Sequence, residues 1–87
     1  WEKAFRDFRI TVDQKKDYVI AGLEASDRAL ALNDRYVDAL IYKNILLRMQ
    51  ANDTEDLDLQ TELIAEADEL RGTAERIQQE QRAAAGA

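Results

Sequence analysis

The sequence predicts an all-α chain, and three observations carry the prediction. None of its 87 residues is proline, where average usage of about 5% would give roughly four. Only three glycines are present, Gly22, Gly72 and Gly86, so the residues that interrupt helices are almost missing. Apolar side chains also recur at helical spacing in successive long stretches, which is the primary signal for amphipathic helix.

Taken in order, Trp1 to Ile10 reads as the last turns of a helix with Trp1, Phe5 and Phe8 on one face. Those aromatics are expected to pack on a flat surface at Gly22 and Ser26 as a core contact, in preference to serving as a binding anchor. Thr11-Val12-Asp13-Gln14 matches a capping box, with the Thr11 hydroxyl accepting from the Gln14 backbone N–H while the Gln14 side chain reaches back. A helix of about twenty residues is expected to start there. Within it Val19, Gly22, Leu23, Ser26, Ala29 and Leu30 fall at i, i+3, i+4, i+7, i+10 and i+11, which sets small and apolar side chains on one face. Gly22, Ser26 and Ala29 make the middle of that face nearly flat, so another helix can approach closely.

Asn33 and Asp34 then favour a turn or an N-cap, because their short side chains bond nearby backbone groups. A link this short makes its two helices antiparallel neighbours. The second helix, from about Arg35 to Gln50, is apolar on two sides: Ala39, Leu40, Lys43, Leu46 and Leu47 on one, Val37, Ile41, Ile45 and Met49 on the other. Such a helix is expected to be sandwiched between two neighbours. Ala51 to Asp58 breaks the pattern, with Thr54, Asp56 or Asp58 placed to cap the next helix. From there Leu59, Leu63, Ala67, Leu70, Ala74 and Ile77 form one seam of one long helix, and Glu62, Glu66, Asp68, Glu69, Glu75 and Glu80 occupy its other side. Gly72 costs about 1 kcal/mol against alanine but lies inside the continuing seam. Gln78 to Arg82 is polar all round, and residues 83–87 read as a small-residue tail that frays.

One small domain, residues 1–82, is therefore expected, followed by the tail 83–87. A chain this short buries only about 60 to 65% of its unfolded surface, which is marginal without help from a neighbour. The opening on Trp1 in place of Met reads as the C-terminal part of a longer chain, with any targeting segment upstream. The Trp1 end is expected to dock against more protein.

Composition restricts the chemistry. Without cysteine there is neither disulfide nor thiolate chemistry, and without histidine the usual general base and commonest metal ligand are missing. Carboxylate pairs such as Glu62 with Glu66 and Asp53 with Asp56 are of a kind usually solvated. Asp53, Glu55, Asp56 and Asp58 could gather round calcium, but the glycine at the sixth position and the glutamate at the twelfth that define an EF-hand loop are lacking. No phosphate-binding glycine loop, nucleophile elbow or metal-ligand spacing occurs. The expectation is a non-catalytic protein without cofactor or metal. Asn52-Asp53-Thr54 matches the N-glycosylation sequon, a pattern that also recurs by chance, which leaves Asn52 as a candidate acceptor. No apolar run approaches the roughly 20 residues of a membrane span.

Charge divides the chain. Residues 1–50 hold nine basic and eight acidic side chains, a net of +1, and residues 51–87 hold three and ten, a net of −7, which together make the −6 of the whole. The acidic helix reads either as a solvated outer face or as a docking surface for a basic partner. Nucleic acid is argued against on either reading, since it demands a positive stripe.

The run Ala29 to Leu40, ALALNDRYVDAL, resembles the junction between consecutive tetratricopeptide repeats, where an Ala-Leu-x-Leu-Asn helix ending is followed by proline and the next repeat's first helix. Gly22 and Ala29 match that helix's small positions. Asp34 stands where the family has its proline, Ser26 where it has an aromatic, and Lys43-Asn44 where it has Leu-Gly. The resemblance spans roughly residues 12–50. Tyr42 to Arg48 is similar to a subset of bacterial, exported repeat proteins, which favours periplasm or cell envelope over cytoplasm. The resemblance implies antiparallel helix pairs of a helical-repeat solenoid with a long C-terminal capping helix, acting in protein–protein interaction or scaffolding.

In such arrays the first helix of each repeat lines the concave surface, and the matching residues are Asp38, Ile41, Ile45, Arg48 and Met49. They share one helix face. Packing of Ile41, Ile45 and Met49 on the final helix or on a preceding repeat is the competing reading. The implied partners are proteins: a peptide segment, neighbouring repeats or another subunit, a second copy included. A structural helical subunit built into a larger complex or filament is the alternative function.

Overall fold

A computed structural model describes the backbone of residues 2–86 and the side chains of residues 14–86. Three helices account for almost all of it: α1, Glu2–Leu32; α2, Val37–Asp53; and α3, Leu57–Gly86. Among the described residues there is no strand.

α1 runs unbroken through the Thr11 capping box, so the two N-terminal helices expected from the sequence are one. A capping threonine starts a helix only where its own backbone is held out of helical geometry. Nothing in Arg9 to Asp13 does so: neither glycine nor proline is present, and the helix continues through Thr11. The side chains of Trp1, Phe5 and Phe8 lie outside the described residues. The flat surface they were expected to cover is occupied by α2.

α1 and α2 meet closely at Gly22. A Cβ placed on Gly22 would lie 2.7 Å from Leu46 Cδ1, 3.3 Å from Leu46 Cδ2 and 3.3 Å from Tyr42 Oη. Leu46 is completely buried there. Ser26, one turn on, is buried as well, and its hydroxyl donates to the Gly22 carbonyl at 2.8 Å, which satisfies it without widening the seam.

The link after α1 is a tight turn. Asn33 N–H donates to Ala29 O, Asn33 Oδ1 accepts from Arg35 N–H at 3.0 Å, and Tyr36 N–H donates to Asn33 O at 3.2 Å. Asn33 thus makes an Asx-type turn, and α2 begins two residues later than expected, with Tyr36 at its N-cap and no side-chain cap bond. α2 then extends three residues past Gln50, to Asp53. The next link is only three residues, and Asp56 caps α3: its Oδ1 accepts from Asp58 N–H at 3.0 Å and from Leu59 N–H at 3.2 Å. α3 carries on through Ala83 to Gly86 where an end near Arg82 was expected; alanine is the best helix former, which offsets the lack of packing there.

α2 packs on both other helices, whereas α1 and α3 make no close backbone approach among the described residues. Between α2 and α3, Leu47, Ala51, Leu63 and Ala67 form one core cluster, joined by Leu23 from α1. Leu40, Ala74 and Ile77 form a second, joined by Leu30, Val37 and Ile41. Leu70 touches both. The long dimension is 57 Å against 30 and 23 Å for the others.

Ion pairs tie the layers together. Lys43 lies between α1 and α3, with Nζ 2.8 Å from Asp27 Oδ1 and 3.5 Å from Glu66 Oε1. Its hydrogen bond to Asp27 raises its pKa above the ordinary lysine value, partial burial opposing and Glu66 adding to the rise. Arg35 reaches Glu80 at 2.7 Å and Arg48 reaches Asp68 at 2.6 Å, and each carboxylate is held below its usual pKa mainly by that bond. Glu66, Asp68 and Glu80 on the acidic face of α3 are therefore engaged by cations of α2 and of the α1–α2 turn.

Candidate functional site

α1 and α3 take two sides of α2, and a third side is left open. At 100° per residue, Arg48, Ile41, Ile45, Asp38 and Met49 occupy one contiguous arc of α2, so the five residues singled out in the sequence do fall together. Their surroundings differ. Ile41 is half-buried and packs toward Leu40, Ala74 and Ile77. Arg48, also half-buried, donates through Nε to Asn44 Oδ1 at 2.8 Å and through Nη2 to Asp68 Oδ1 at 2.6 Å. These two form the α3 edge of the arc. Ile45, in the middle, is 48% exposed.

On the α1 edge, Met49 lines a shallow depression of about 420 Å³ with Gln14, Lys15 and Tyr18. Further along the same α1–α2 groove, Asp38 lines another of about 380 Å³ beside Tyr36, Tyr42 and a floor of Ala25, Ser26 and Ala29. All three tyrosines of the chain thus border one groove. The Tyr42 hydroxyl donates to that of Tyr18 at 2.6 Å, and this bond is the main cause of the upward shift in the Tyr42 pKa.

The sequence did not single out Tyr18 and Tyr42 because the signal is a pairing across 24 positions and two helices. Tyr42 lies four residues before Leu46, and the only local hint was that both tyrosines flank the small-residue face.

Asn52 is exposed in the last turn of α2. Among the described residues no three of His, Cys, Asp and Glu are grouped to hold a metal ion, and no helix is long and apolar enough to cross a membrane. The open face offers aromatic hydroxyls, aliphatic side chains, one carboxylate and one engaged guanidinium, which suits contact with another polypeptide.

The chain matches no protein-family model, no curated protein and no solved structure.

Proposed function

We propose that this chain is a non-catalytic protein-interaction module of the tetratricopeptide kind, with α1 as the second helix of one repeat and α2 and α3 as the helices of the next. The observation that carries the reading is the exposed third face of α2, bearing Ile45 and Tyr42 between neighbours that occupy its other two faces. An aliphatic and aromatic strip on a rigid helix, flanked by satisfied polar groups, is what a docked segment uses as its anchor region. The close seam at Gly22 supports the repeat-junction assignment, since small residues at that position let consecutive helices meet. Under this assignment, Asp38, Ile41, Ile45, Arg48 and Met49 form the concave lining, with Tyr18 and Tyr42 extending it. Proteins exported to the bacterial periplasm or envelope are the context that the Tyr42 to Arg48 resemblance suggests.

A structural subunit is the second reading, favoured by Leu32, 91% exposed at the α1–α2 turn, and Leu57, 74% exposed at the opposite end of α2. Apolar side chains at both ends suit end-to-end assembly.

Selection of displayed peptides on the 87-residue chain tests the first reading. Selected ligands should lose about tenfold or more in affinity with Tyr42→Ala or Ile45→Asp, the loss of a buried anchor being worth more than about 1.4 kcal/mol. Ligands that ignore both substitutions would refute it, and concentration-dependent growth in mass that Leu32→Lys or Leu57→Lys abolishes would establish the second.

A further inference from the structure

We propose that the depression between Tyr36 and Tyr42, in the α1–α2 groove, is a subsite for an arginine side chain of a partner polypeptide. The partner rests on the docking reading given above, whereas the subsite itself is built without Ile45.

The depression holds about 380 Å³. Its floor is Ala25, Ser26 and Ala29 of α1 with Ala39 of α2, side chains too short to fill it. The Tyr42 hydroxyl bonds that of Tyr18 at 2.6 Å and lies 3.3 Å from where a Cβ on Gly22 would be, so the Tyr42 side chain reaches from α2 across to α1. It closes the groove at that end, and beyond it Tyr18 lines a separate depression with Met49. Tyr36, at the N-cap of α2, lies about 9 Å back along the helix axis. Tyr36 is 44% and Tyr42 36% exposed, so both phenols are accessible from the opening that they border.

Charge complementarity names the occupant. Asp38 itself lines the depression, and no lysine or arginine does. Among the described residues no ion pair engages Asp38. Arg35 borders Asp38 on the far side, in a neighbouring depression with Asn33 and Gln81, but its guanidinium is held 2.7 Å from Glu80 Oε2. The lining therefore offers one carboxylate without a cation, two phenol rings and their hydroxyl oxygens. A ligand that answers it carries positive charge and several donors.

Arginine combines these properties with a flat shape. Its guanidinium has five N–H donors and no acceptor, pairs with a carboxylate in a bidentate fork and stacks on aromatic rings. Its aliphatic stem suits the alanine floor. Lysine presents a more strongly hydrated point charge with no planar surface to stack, and an aliphatic side chain would cover Asp38 without giving it a donor, which carries a desolvation cost.

The test titrates the isotope-labelled 87-residue chain with N-acetyl-arginine amide at constant ionic strength, following backbone amide signals by NMR, and repeats the titration with the citrulline, lysine and norleucine counterparts. Arginine should shift the signals of Ala29, Tyr36, Asp38 and Tyr42 saturably, with a Kd on the order of 10 mM for a single side chain. Citrulline, which keeps the shape and loses the charge, should shift them about fivefold less at equal concentration. Asp38→Asn and Tyr36→Leu should each weaken arginine binding about threefold or more, while Ile45→Asp should leave it unchanged. Both altered residues are exposed and Tyr36 makes no side-chain cap bond, and unchanged circular dichroism melts would show that the fold is retained. The inference is overturned if arginine leaves these signals unmoved up to about 50 mM, if citrulline moves them as far, if Asp38→Asn responds as the parent does, or if lysine or norleucine binds as tightly. Peptides selected on the chain that depend on Ile45, together with a failed arginine titration, would refute the subsite and leave the docking reading standing. Arginine binding without any Ile45-dependent peptide would refute the docking reading and leave the subsite standing.

Discussion

Gly22 and Gly72 occupy helix interiors and differ in what surrounds them, so the same substitution should have opposite effects at the two sites. Alanine gains about 1 kcal/mol over glycine in a helix interior from propensity alone. At Gly72 nothing lies within 4 Å of the added Cβ, and the full gain should appear. At Gly22 the Cβ would sit 2.7 Å from Leu46 Cδ1, well inside contact distance, and Leu46 has no solvent-exposed surface through which to move aside. Overpacking of this kind costs about 1–3 kcal/mol, so Gly22→Ala should lose about 1 kcal/mol net and Gly22→Leu should approach the upper end of that range. With a urea m-value near 1 kcal/mol/M for a chain of this size, the Gly72→Ala midpoint should rise by about 1 M and the Gly22→Ala midpoint should fall by about as much. Leu46→Ala alone should cost about 2–5 kcal/mol through the cavity it leaves, and adding Gly22→Ala to it should restore part of that loss, a coupling of about 1 kcal/mol. A Gly22→Ala midpoint that rises as Gly72→Ala does would show that α1 and α2 do not meet at this distance.

Two further predictions concern the polar groups. Asp56→Ala removes the acceptor for the Asp58 and Leu59 backbone N–H groups and should cost about 1 kcal/mol in thermal or urea unfolding, whereas Asp58→Ala should cost less. Stability should also fall at both pH extremes. Tyr42 and Lys43 have folded pKa values raised above 10.0 and 10.5, so their contribution is complete below those values and is lost as pH rises through the folded ones. Asp68 and Glu80 are lowered from 3.8 and 4.5, so theirs is complete above those values and is lost as pH falls below them. Lys43→Met should shrink the alkaline loss and Asp68→Asn the acid loss, each read from the urea midpoint against pH.

The periodic positions of the core were legible in the sequence because each is a local spacing. Val19, Gly22 and Ser26 are buried on α1, and Leu63, Ala67, Ala74 and Ile77 on α3, as their i, i+3 and i+4 recurrence indicates. The two apolar sides of α2 likewise indicated two neighbours. Boundaries were less legible, because a capping box is a local preference that a continuing helix overrides, and because Asn33 had two competing uses, as cap or as turn. The all-α class is set by the missing prolines and the helical spacing, while the number and curvature of any repeats are properties of more than three helices.

The charge division shows why a site is harder to read than a core. Ten acids after residue 50 suggested one acidic surface, yet Glu66, Asp68 and Glu80 turn to Lys43, Arg48 and Arg35. A carboxylate engaged within the fold and one offered to a partner look alike in sequence, since both sit on the polar side of the same stripe. They are told apart by whether a cation from another helix lies within reach. The division also explains why Arg48, chosen as a lining residue, is tied down by Asn44 and Asp68 while Ile45, its neighbour one turn back, is left exposed. A rim arginine fixed in this way loses little further side-chain entropy when a ligand arrives. It can therefore flank an anchor at Ile45 at low cost, so Arg48→Ala should weaken a ligand of that face chiefly by loosening the α2–α3 edge.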